Sequence, residues 1–158
     1  MYDLMIIGSG PAGISAALTA KARNLNFIWF GSRALSTKIE KAEKIMNYPG
    51  LPAVTGSEMQ SVFLKQIDDC GITITESQVN SIYDCGGYFA AGADNEIYEA
   101  KAVIMTVGMT TTREIEGEAR LLGCGVSYCA TCDGALYKNK DIAVICASPK
   151  FEDEVTFL

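Results

Sequence analysis

The sequence contains one closely spaced cysteine pair, Cys129 and Cys132, followed directly by Asp133. At this C-x-x-C spacing two thiols can close a small disulfide, and one thiolate is often stable enough to react near neutral pH. The chain has no histidine, which excludes Ser-His-Asp and Cys-His catalysis and makes Asp133 the nearest candidate acid or base. The pair therefore indicates thiol–disulfide chemistry.

The cysteines also allow two metal-binding interpretations. A zinc site would need a second ligand pair, but the other four cysteines stand singly, at Cys70, Cys85, Cys124 and Cys146. Cys124, Cys129 and Cys132 match the C-x4-C-x2-C spacing of plant-type iron–sulfur proteins, with Cys146 available as a fourth ligand. That site would leave the glycine motif described next unexplained and would put a ligand inside an apolar strand. We expect no metal, and we expect the single cysteines to be buried and inert.

A glycine motif stands at the start of the chain, where Gly8, Gly10 and Gly13 give the pattern G-x-G-x-x-G. It follows an apolar run at residues 2–7, typical of a buried strand, and opens a helix predicted over residues 11–24. In this context Gly8 permits a tight turn, Gly10 lets the backbone approach a pyrophosphate, and Gly13 lets helix and strand pack closely. The motif predicts dinucleotide binding.

The second predicted strand, residues 27–30, ends without the acidic residue that usually binds a ribose hydroxyl. Gly31, Ser32 and Arg33 stand there instead. Ribose recognition must then use the backbone, Ser32 or Arg33, which makes an ordinary NAD site less favoured without selecting FAD.

Further elements follow along the chain. Ser57 is the expected N-cap of a helix over residues 58–69, and residues 110–117 resemble a linker. Strands are predicted near residues 72–75, 88–91 and 141–146, with a hairpin turn at residues 85–87. Residues 102–107 are predicted as a further buried strand, closed by Gly108. The β-α-β start predicts an α/β fold.

Composition limits the possible partners. The formal net charge of −6 argues against nucleic acid, whose binding needs clustered positive charge. No apolar run approaches the roughly 20 residues needed to span a bilayer, and the N-terminus has no basic flank or cleavage signal. We therefore expect no membrane partner and a cytoplasmic protein.

From Met1 to about Val144 the sequence resembles the low-molecular-weight thioredoxin reductases. The motifs that carry the resemblance are residues 8–13, 47–50, 106–108, 117–118 and, above all, the run Gly-Val-Ser-Tyr-Cys-Ala-Thr-Cys-Asp-Gly at residues 125–134. The resemblance implies a three-layer, Rossmann-like FAD-binding domain over residues 1–112 and the start of a second, disulfide-bearing domain over residues 113–158. It also implies that the chain is an N-terminal fragment of a homodimeric enzyme that reduces thioredoxin.

The same resemblance implies residue roles. Cys132 would face the flavin, Cys129 would attack the disulfide of thioredoxin, and Asp133 would serve as acid and base. The residues expected to contact FAD are Gly8, Ser9, Gly10, Pro11, Ala12, Gly13, Gly31, Ser32, Asn47, Thr106 and Gly108.

Two segments depart from the family pattern. Residues 33–38 replace its glycine-glycine-glutamine flavin loop, and residues 147–154 contain no glycine where the family has its NADPH turn. Acidic residues at 152–154 would repel a pyrophosphate there. The chain thus resembles the subgroup that takes electrons from reduced ferredoxin. The alternatives are an NADPH-dependent thioredoxin reductase and, from other classes, an iron–sulfur electron carrier or a non-catalytic flavin-binding module.

Overall fold

A computed structural model of the chain describes residues 1–108, 115–146 and 148–158, except for the side chains of residues 132 and 133. The strands are β1 (Tyr2–Ile7), β2 (Phe27–Phe30), β3 (Val79–Asp84), β4 (Phe89–Ala93) and β5 (Glu96–Met105). The helices are α1 (Pro11–Ala22), α2 (Thr37–Glu40), α3 (Gly56–Asp69), α4 (Glu118–Leu121), α5 (Ala130–Asp133) and α6 (Glu152–Phe157), with 3-10 turns at Gly134–Tyr137 and Pro149–Phe151. None of the described helices is both long and apolar enough to cross a membrane.

The five strands form one mixed sheet in the order β2-β1-β5-β4-β3. β1 pairs in parallel with β2, where Leu4 lies opposite Phe27, and with β5, where Leu4 lies opposite Ala102. β5, β4 and β3 are antiparallel neighbours. The carboxyl ends of β1 and β2 therefore meet at one edge, where α/β folds bind their ligands. This confirms the predicted α/β class.

The core lies on both faces of the parallel strands. Met5 and Ile6 of β1 are fully buried, and Trp29 and Phe30 of β2 are 1% exposed. Helix α1 packs on β1 and buries a row of small or branched residues, Gly13, Ile14, Ala17 and Ala20. Because these residues are mostly small, the helix approaches the sheet closely and fixes the turn between them.

The chain divides into two compact units. The first contains Met1–Thr37 and Gln60–Thr111, and the second contains Lys38–Met59 and Thr112–Leu158. The sheet and α1 belong to the first unit, while α4, α5 and α6 belong to the second. The domain boundary predicted between residues 112 and 113 stays a prediction, and residues 110–114 of the predicted linker lie outside the described residues.

Several predicted elements are confirmed. β1 and β2 have the predicted bounds, and α1 ends at Ala22, two residues before the predicted end. The strand predicted at residues 88–91 overlaps β4, and residues 102–105 of the strand predicted at 102–107 form the end of the longer β5. The burial predicted for residues 102–107 is wrong, because Ile104 and Met105 are 39% and 63% exposed. The predicted turn at residues 85–87 joins β3 to β4, with positive φ at Gly86 and Gly87.

Three predictions of local structure are wrong. Residues 72–75 contribute a single bridge, between Thr75 and Phe30, because within this segment only the backbone of Thr75 exchanges hydrogen bonds with the β2 segment. Residues 141–146 are exposed coil, since no described strand pairs with them and an isolated strand leaves its backbone groups unpaired. The N-cap of α3 is Thr55 rather than Ser57. The hydroxyl of Thr55 accepts from the Glu58 N–H at 3.2 Å, and the Glu58 carboxylate accepts from the Thr55 N–H at 2.8 Å.

Candidate functional site

The glycine turn, residues 8–13, joins β1 to α1 at the ligand-binding edge of the sheet. Gly8 has φ +112°, and a Cβ there would lie 2.3 Å from the Thr106 carbonyl oxygen. A Cβ at Gly13 would lie 2.0 Å from the Gly8 carbonyl oxygen. Both contacts are with backbone, so neither position has room for a side chain. The turn is as tight as the motif predicts.

Gly10 is in a different situation. Among the described residues no heavy atom lies within 4 Å of the place where its Cβ would be, so the surface above it is open. Gly10 is also the N-cap of α1, and the described structure shows no side-chain cap and no acidic residue in the first helical turn. Pro11 opens the helix and Ala12 is exposed beside it. The N–H groups of this turn can therefore receive an anion, and a pyrophosphate fits the cradle.

The backbone of the turn is held from two neighbouring strands. The Thr106 hydroxyl lies 2.9 Å from the Ile7 carbonyl oxygen and 3.0 Å from that of Gly8, so Thr106 binds the turn from the end of β5. The indole N–H of Trp29 donates to the Gly8 carbonyl oxygen at 2.9 Å. The sequence places Trp29 only within the second predicted strand. Its signal for this contact is the indole N–H, which usually has a hydrogen-bond partner when tryptophan is buried.

Ser9 connects the glycine turn to the end of β2. Its hydroxyl donates to the Leu35 carbonyl oxygen at 3.1 Å and accepts from the Ser32 N–H at 3.0 Å. A Cβ at Gly31 would lie 2.5 Å from the Ser9 Cβ, which explains the glycine there. Ser9, Gly31 and Ser32 thus lie together, with the Ser9 hydroxyl hydrogen-bonded inside the protein.

A carboxylate that the sequence analysis missed lies at the end of β2. Glu76 Oε1 accepts from the Arg33 N–H at 2.8 Å and from the Ser32 hydroxyl at 3.5 Å. The Ser32 oxygen in turn accepts from the Ala34 N–H at 3.1 Å. The position of Glu76 could not be predicted from the sequence near β2. Glu76 comes close to β2 because the preceding residue, Thr75, forms an isolated bridge with Phe30.

The side chain of Arg33 is engaged by a different acid. Its Nη2 lies 3.0 Å from both carboxylate oxygens of Asp68 on α3. Both side chains are about half exposed, at 49% and 54%, so the pair contributes at most about 1 kcal/mol to stability. Its more useful effect is to hold the guanidinium at α3.

Two other predicted cofactor contacts can be located. Gly108 follows β5 in the first unit with φ +68° and open space where a Cβ would stand. Asn47 is exposed and belongs to the second unit, shortly after Ile45, which bridges to Val54. The contacts predicted for Asn47 and Gly108 with FAD stay predictions.

The cysteine segment lies in the second unit. The Cys129 N–H donates to the Ser127 hydroxyl oxygen at 3.1 Å, and α5 begins at the next residue, Ala130. Cys129 is half-buried. The side chains of Cys132 and Asp133 lie outside the described part of the structure, so their predicted disulfide and proton-transfer roles stay predictions.

Tyr128, the residue before Cys129, is held by contacts of its hydroxyl with Glu118 and of its ring with Lys38. Its hydroxyl donates to the carboxylate of Glu118, which is 8% exposed and also accepts from the Ile115 N–H at 2.6 Å. The Tyr128 hydrogen bond, followed by that of Ile115, lowers the pKa of Glu118 from its ordinary value, against a smaller opposing effect of desolvation. The ammonium of Lys38 lies 5.2 Å from the Tyr128 ring centroid. These contacts fix the backbone that leads into Cys129.

The expectation of buried single cysteines is wrong. All four are exposed free thiols: Cys70, Cys85 and Cys124 follow the ends of α3, β3 and α4, and Cys146 lies in coil. Among the described residues no group of three His, Cys, Asp or Glu side chains is arranged to hold a metal ion.

The segment after residue 146 has no glycine cradle. Residue 147 lies outside the described residues, and the Ser148 hydroxyl accepts from the Lys150 N–H at 3.4 Å. Helix α6 then begins with Glu152, Asp153 and Glu154, all of them exposed. A side chain caps this segment and three carboxylates follow it, so it disfavours a pyrophosphate.

Comparison with known proteins supplies the family context. The family model described as pyridine nucleotide-disulphide oxidoreductase matches residues 2–149. A thioredoxin reductase of Bacillus subtilis is 31% identical over 159 aligned positions, which cover all of this chain and 50% of that protein. A bifunctional thioredoxin reductase/thioredoxin of Mycobacterium leprae is 35% identical over 162 positions, covering 100% of this chain and 35% of that protein.

Solved structures are similar as well. A ferredoxin-flavin thioredoxin reductase from Clostridium acetobutylicum matches 87% of this chain and 48% of its own, with a TM-score of 0.68 and 47% identity. A thioredoxin reductase from Streptococcus pyogenes matches 87% of this chain and 45% of its own, with a TM-score of 0.74 and 35% identity. The chain spans half or less of the length of these relatives.

Proposed function

Because this chain belongs to the pyridine nucleotide-disulphide oxidoreductase family, we propose that it is the flavin-binding and disulfide-bearing part of a thioredoxin reductase supplied by reduced ferredoxin. The family binds FAD. The observation that carries the proposal is the glycine turn, in which Gly8 and Gly13 have no room for a side chain while Gly10 faces open space. That arrangement suits the pyrophosphate of a dinucleotide cofactor.

The residues of the first unit would bind the cofactor. The N–H groups at the start of α1 would hold the pyrophosphate above Gly10, and Thr106 and Trp29 would keep the turn rigid by binding its carbonyl oxygens. When bound, FAD supplies two-electron chemistry at its ring and so links a one-electron donor to a disulfide.

The cysteine pair would carry the electrons onward. Reduction of a Cys129–Cys132 disulfide takes two electrons, one from each of two reduced ferredoxins, and two protons, with Asp133 as the proposed proton donor. Cys129 as thiolate would attack the thioredoxin disulfide to form a mixed disulfide. Cys132 would then attack the Cys129 sulfur, which restores the pair and releases thioredoxin as a dithiol.

Two observations favour ferredoxin over NADPH as donor. Residues 147–154 contain no glycine, and α6 opens with Glu152, Asp153 and Glu154, which repel a dinucleotide phosphate. The chain is also 47% identical to a structure named as a ferredoxin-flavin thioredoxin reductase. The rival donor, NADPH, is favoured by the family name, which refers to a pyridine nucleotide.

The donor can be tested with the complete protein that contains this chain, loaded with FAD and kept under argon. Reduced ferredoxin should bleach the flavin absorbance and drive thioredoxin reduction, and NADPH should do neither. Oxidation of NADPH at an ordinary enzymatic rate, roughly 1 s⁻¹ or faster, would contradict the ferredoxin proposal.

The role of the disulfide needs its own variants. Cys129→Ser and Cys132→Ser should each abolish thioredoxin reduction while keeping the bound flavin, with Cys124→Ser as an exposed control that changes neither. A non-catalytic flavin module would be indifferent to all three changes. An iron–sulfur carrier would be brown and would contain iron.

The homodimer and the cytoplasmic location stay predictions. Light scattering of the complete protein tests the first, and cell fractionation tests the second.

A further inference from the structure

We propose that Glu76 binds the adenosine ribose of FAD, in place of the acidic residue that usually follows the second strand of a dinucleotide-binding fold. The inference rests on the proposed function, because it takes FAD as the ligand. β2 ends in Phe30, followed by Gly31, Ser32 and Arg33, so the local sequence supplies no carboxylate at the usual position. Glu76 supplies one from a segment more than forty residues away along the chain.

The backbone brings Glu76 to this position. The Gly31 N–H donates to the Thr75 carbonyl oxygen at 3.1 Å, and the Thr75 N–H donates to the Trp29 carbonyl oxygen at 2.7 Å. Thr75 thus pairs in parallel with the end of β2, on the side opposite β1. Because the two segments run in the same direction, the next residue, Glu76, lies level with the residues that follow β2.

The carboxylate of Glu76 is oriented by its contacts. Oε1 accepts from the Arg33 N–H at 2.8 Å and lies 3.5 Å from the Ser32 hydroxyl. Both contacts that the described residues make with this carboxylate use Oε1, which leaves the lone pairs of Oε2 for hydroxyl donors of a ligand. Glu76 is exposed, so a ribose can reach it.

Glu76 and the pyrophosphate cradle belong to one hydrogen-bonded frame. Ser32 donates its N–H to the Ser9 hydroxyl at 3.0 Å, and Ser9 lies between Gly8 and Gly10 of the turn. In a dinucleotide, the adenosine ribose is attached directly to the pyrophosphate. A phosphate above Gly10 would therefore place the ribose toward the end of β2, where the one carboxylate that contacts the described backbone is Glu76.

The charges at this edge suit a ribose without a phosphate. An arginine after β2 can accept the 2′-phosphate of NADP, but the Arg33 guanidinium is held 3.0 Å from both oxygens of Asp68. Glu76 adds a negative charge beside the Arg33 backbone. FAD carries free ribose hydroxyls, which donate to a carboxylate, so this edge matches FAD and repels a 2′-phosphorylated ligand.

The test uses the complete protein after its flavin has been removed and measures FAD dissociation constants by flavin fluorescence. The variants are Glu76→Ala, Glu76→Gln and, as a matched control, Asp68→Asn, which changes the other carboxylate that contacts Arg33. Each is also titrated with an FAD analogue that lacks both adenosine ribose hydroxyls. The thermal unfolding of each apoprotein shows whether the fold survives the change.

Loss of a hydrogen bond to a charged group predicts that Glu76→Ala weakens FAD binding about 10- to 100-fold, with a smaller loss in Glu76→Gln. The wild type should lose a similar factor when given the analogue, and Glu76→Ala should bind FAD and the analogue equally. If Glu76→Ala keeps the wild-type preference for FAD over the analogue, Glu76 only holds the β2 end in place and the inference is overturned. If the wild type binds no FAD, the proposed function itself fails.

Discussion

Substitution of Gly13 by alanine would place a methyl carbon 2.0 Å from the Gly8 carbonyl oxygen and 2.8 Å from the Thr106 hydroxyl oxygen. The nearer atom belongs to backbone that Trp29 and Thr106 also bind, so it cannot move aside without breaking those hydrogen bonds. Overpacking of this kind costs about 1–3 kcal/mol or more. We expect Gly13→Ala to lower the stability of the apoprotein by at least that amount and to weaken FAD binding as a consequence.

Gly10→Ala is the matched control for Gly13→Ala, because we expect it to weaken FAD binding without destabilising the apoprotein. Gly10 has φ −72° and ψ −179°, a conformation open to any residue, and no described atom lies within 4 Å of its Cβ position. The unfolded chain becomes less flexible, which stabilises the apoprotein by about 0.4–1 kcal/mol, and alanine is less favoured than glycine at an N-cap, which offsets this gain. We therefore expect the stability of the apoprotein to change by less than about 1 kcal/mol. FAD should bind about 10-fold or more weakly, because the methyl group occupies the space through which the pyrophosphate reaches the backbone.

The two variants are compared by thermal unfolding of the flavin-free protein and by fluorescence titration with FAD. We expect Gly13→Ala to lose stability and, as a consequence, FAD affinity. Gly10→Ala should lose FAD affinity while its stability stays nearly unchanged. A Gly10→Ala protein that binds FAD as tightly as the wild type would refute the position given to the pyrophosphate. Equal destabilisation by both changes would refute the account of the packing.

Three further predictions concern stability. Thr55→Ala should cost about 1 kcal/mol in urea unfolding and Ser57→Ala clearly less, since Thr55 caps α3. Because the folded-state pKa of Glu118 is lowered, its contribution is present above the ordinary value of 4.5 and is lost as the pH falls through the folded pKa. Tyr128→Phe should therefore shrink this loss in unfolding titrations between pH 6 and 3. Trp29→Phe should lower the melting temperature and speed FAD release, measured by stopped flow, because it removes a donor to the glycine turn.

The elements predicted best from the sequence are those whose signal is local and strong. β1 and β2 are buried on both faces, so they read as continuous apolar runs with clear ends. β3, by contrast, is half exposed and contains Asn80, Ser81 and Asp84, which gives it no regular alternation. At residues 141–146 a strand was predicted that the structure does not contain. An apolar run with β-branched residues favours a strand, but the strand forms only where a partner strand is available to pair with it.

The same distinction applies to the candidate site. The roles of Gly8, Gly10 and Gly13 follow from a six-residue motif, because the steric demands of the turn act between near neighbours and one strand end. Glu76 could not be found in this way. The position of Glu76 depends on the isolated bridge between Thr75 and Phe30. The number of residues between Glu76 and the glycine motif does not predict such a bridge.

The two segments that matter for nucleotide binding differ in physical character within one chain. At the start of α1 the described residues provide no side-chain cap, the first turn contains no acid, and no described heavy atom lies within 4 Å of the Cβ position of Gly10. At Ser148 a hydroxyl already accepts a backbone N–H, and the helix that follows begins with three carboxylates. A pyrophosphate would be attracted by the first segment and repelled by the second. The second segment therefore disfavours NADPH, because NADPH would bring a pyrophosphate to these carboxylates. This charge pattern supports the proposed donor, ferredoxin, which carries no dinucleotide.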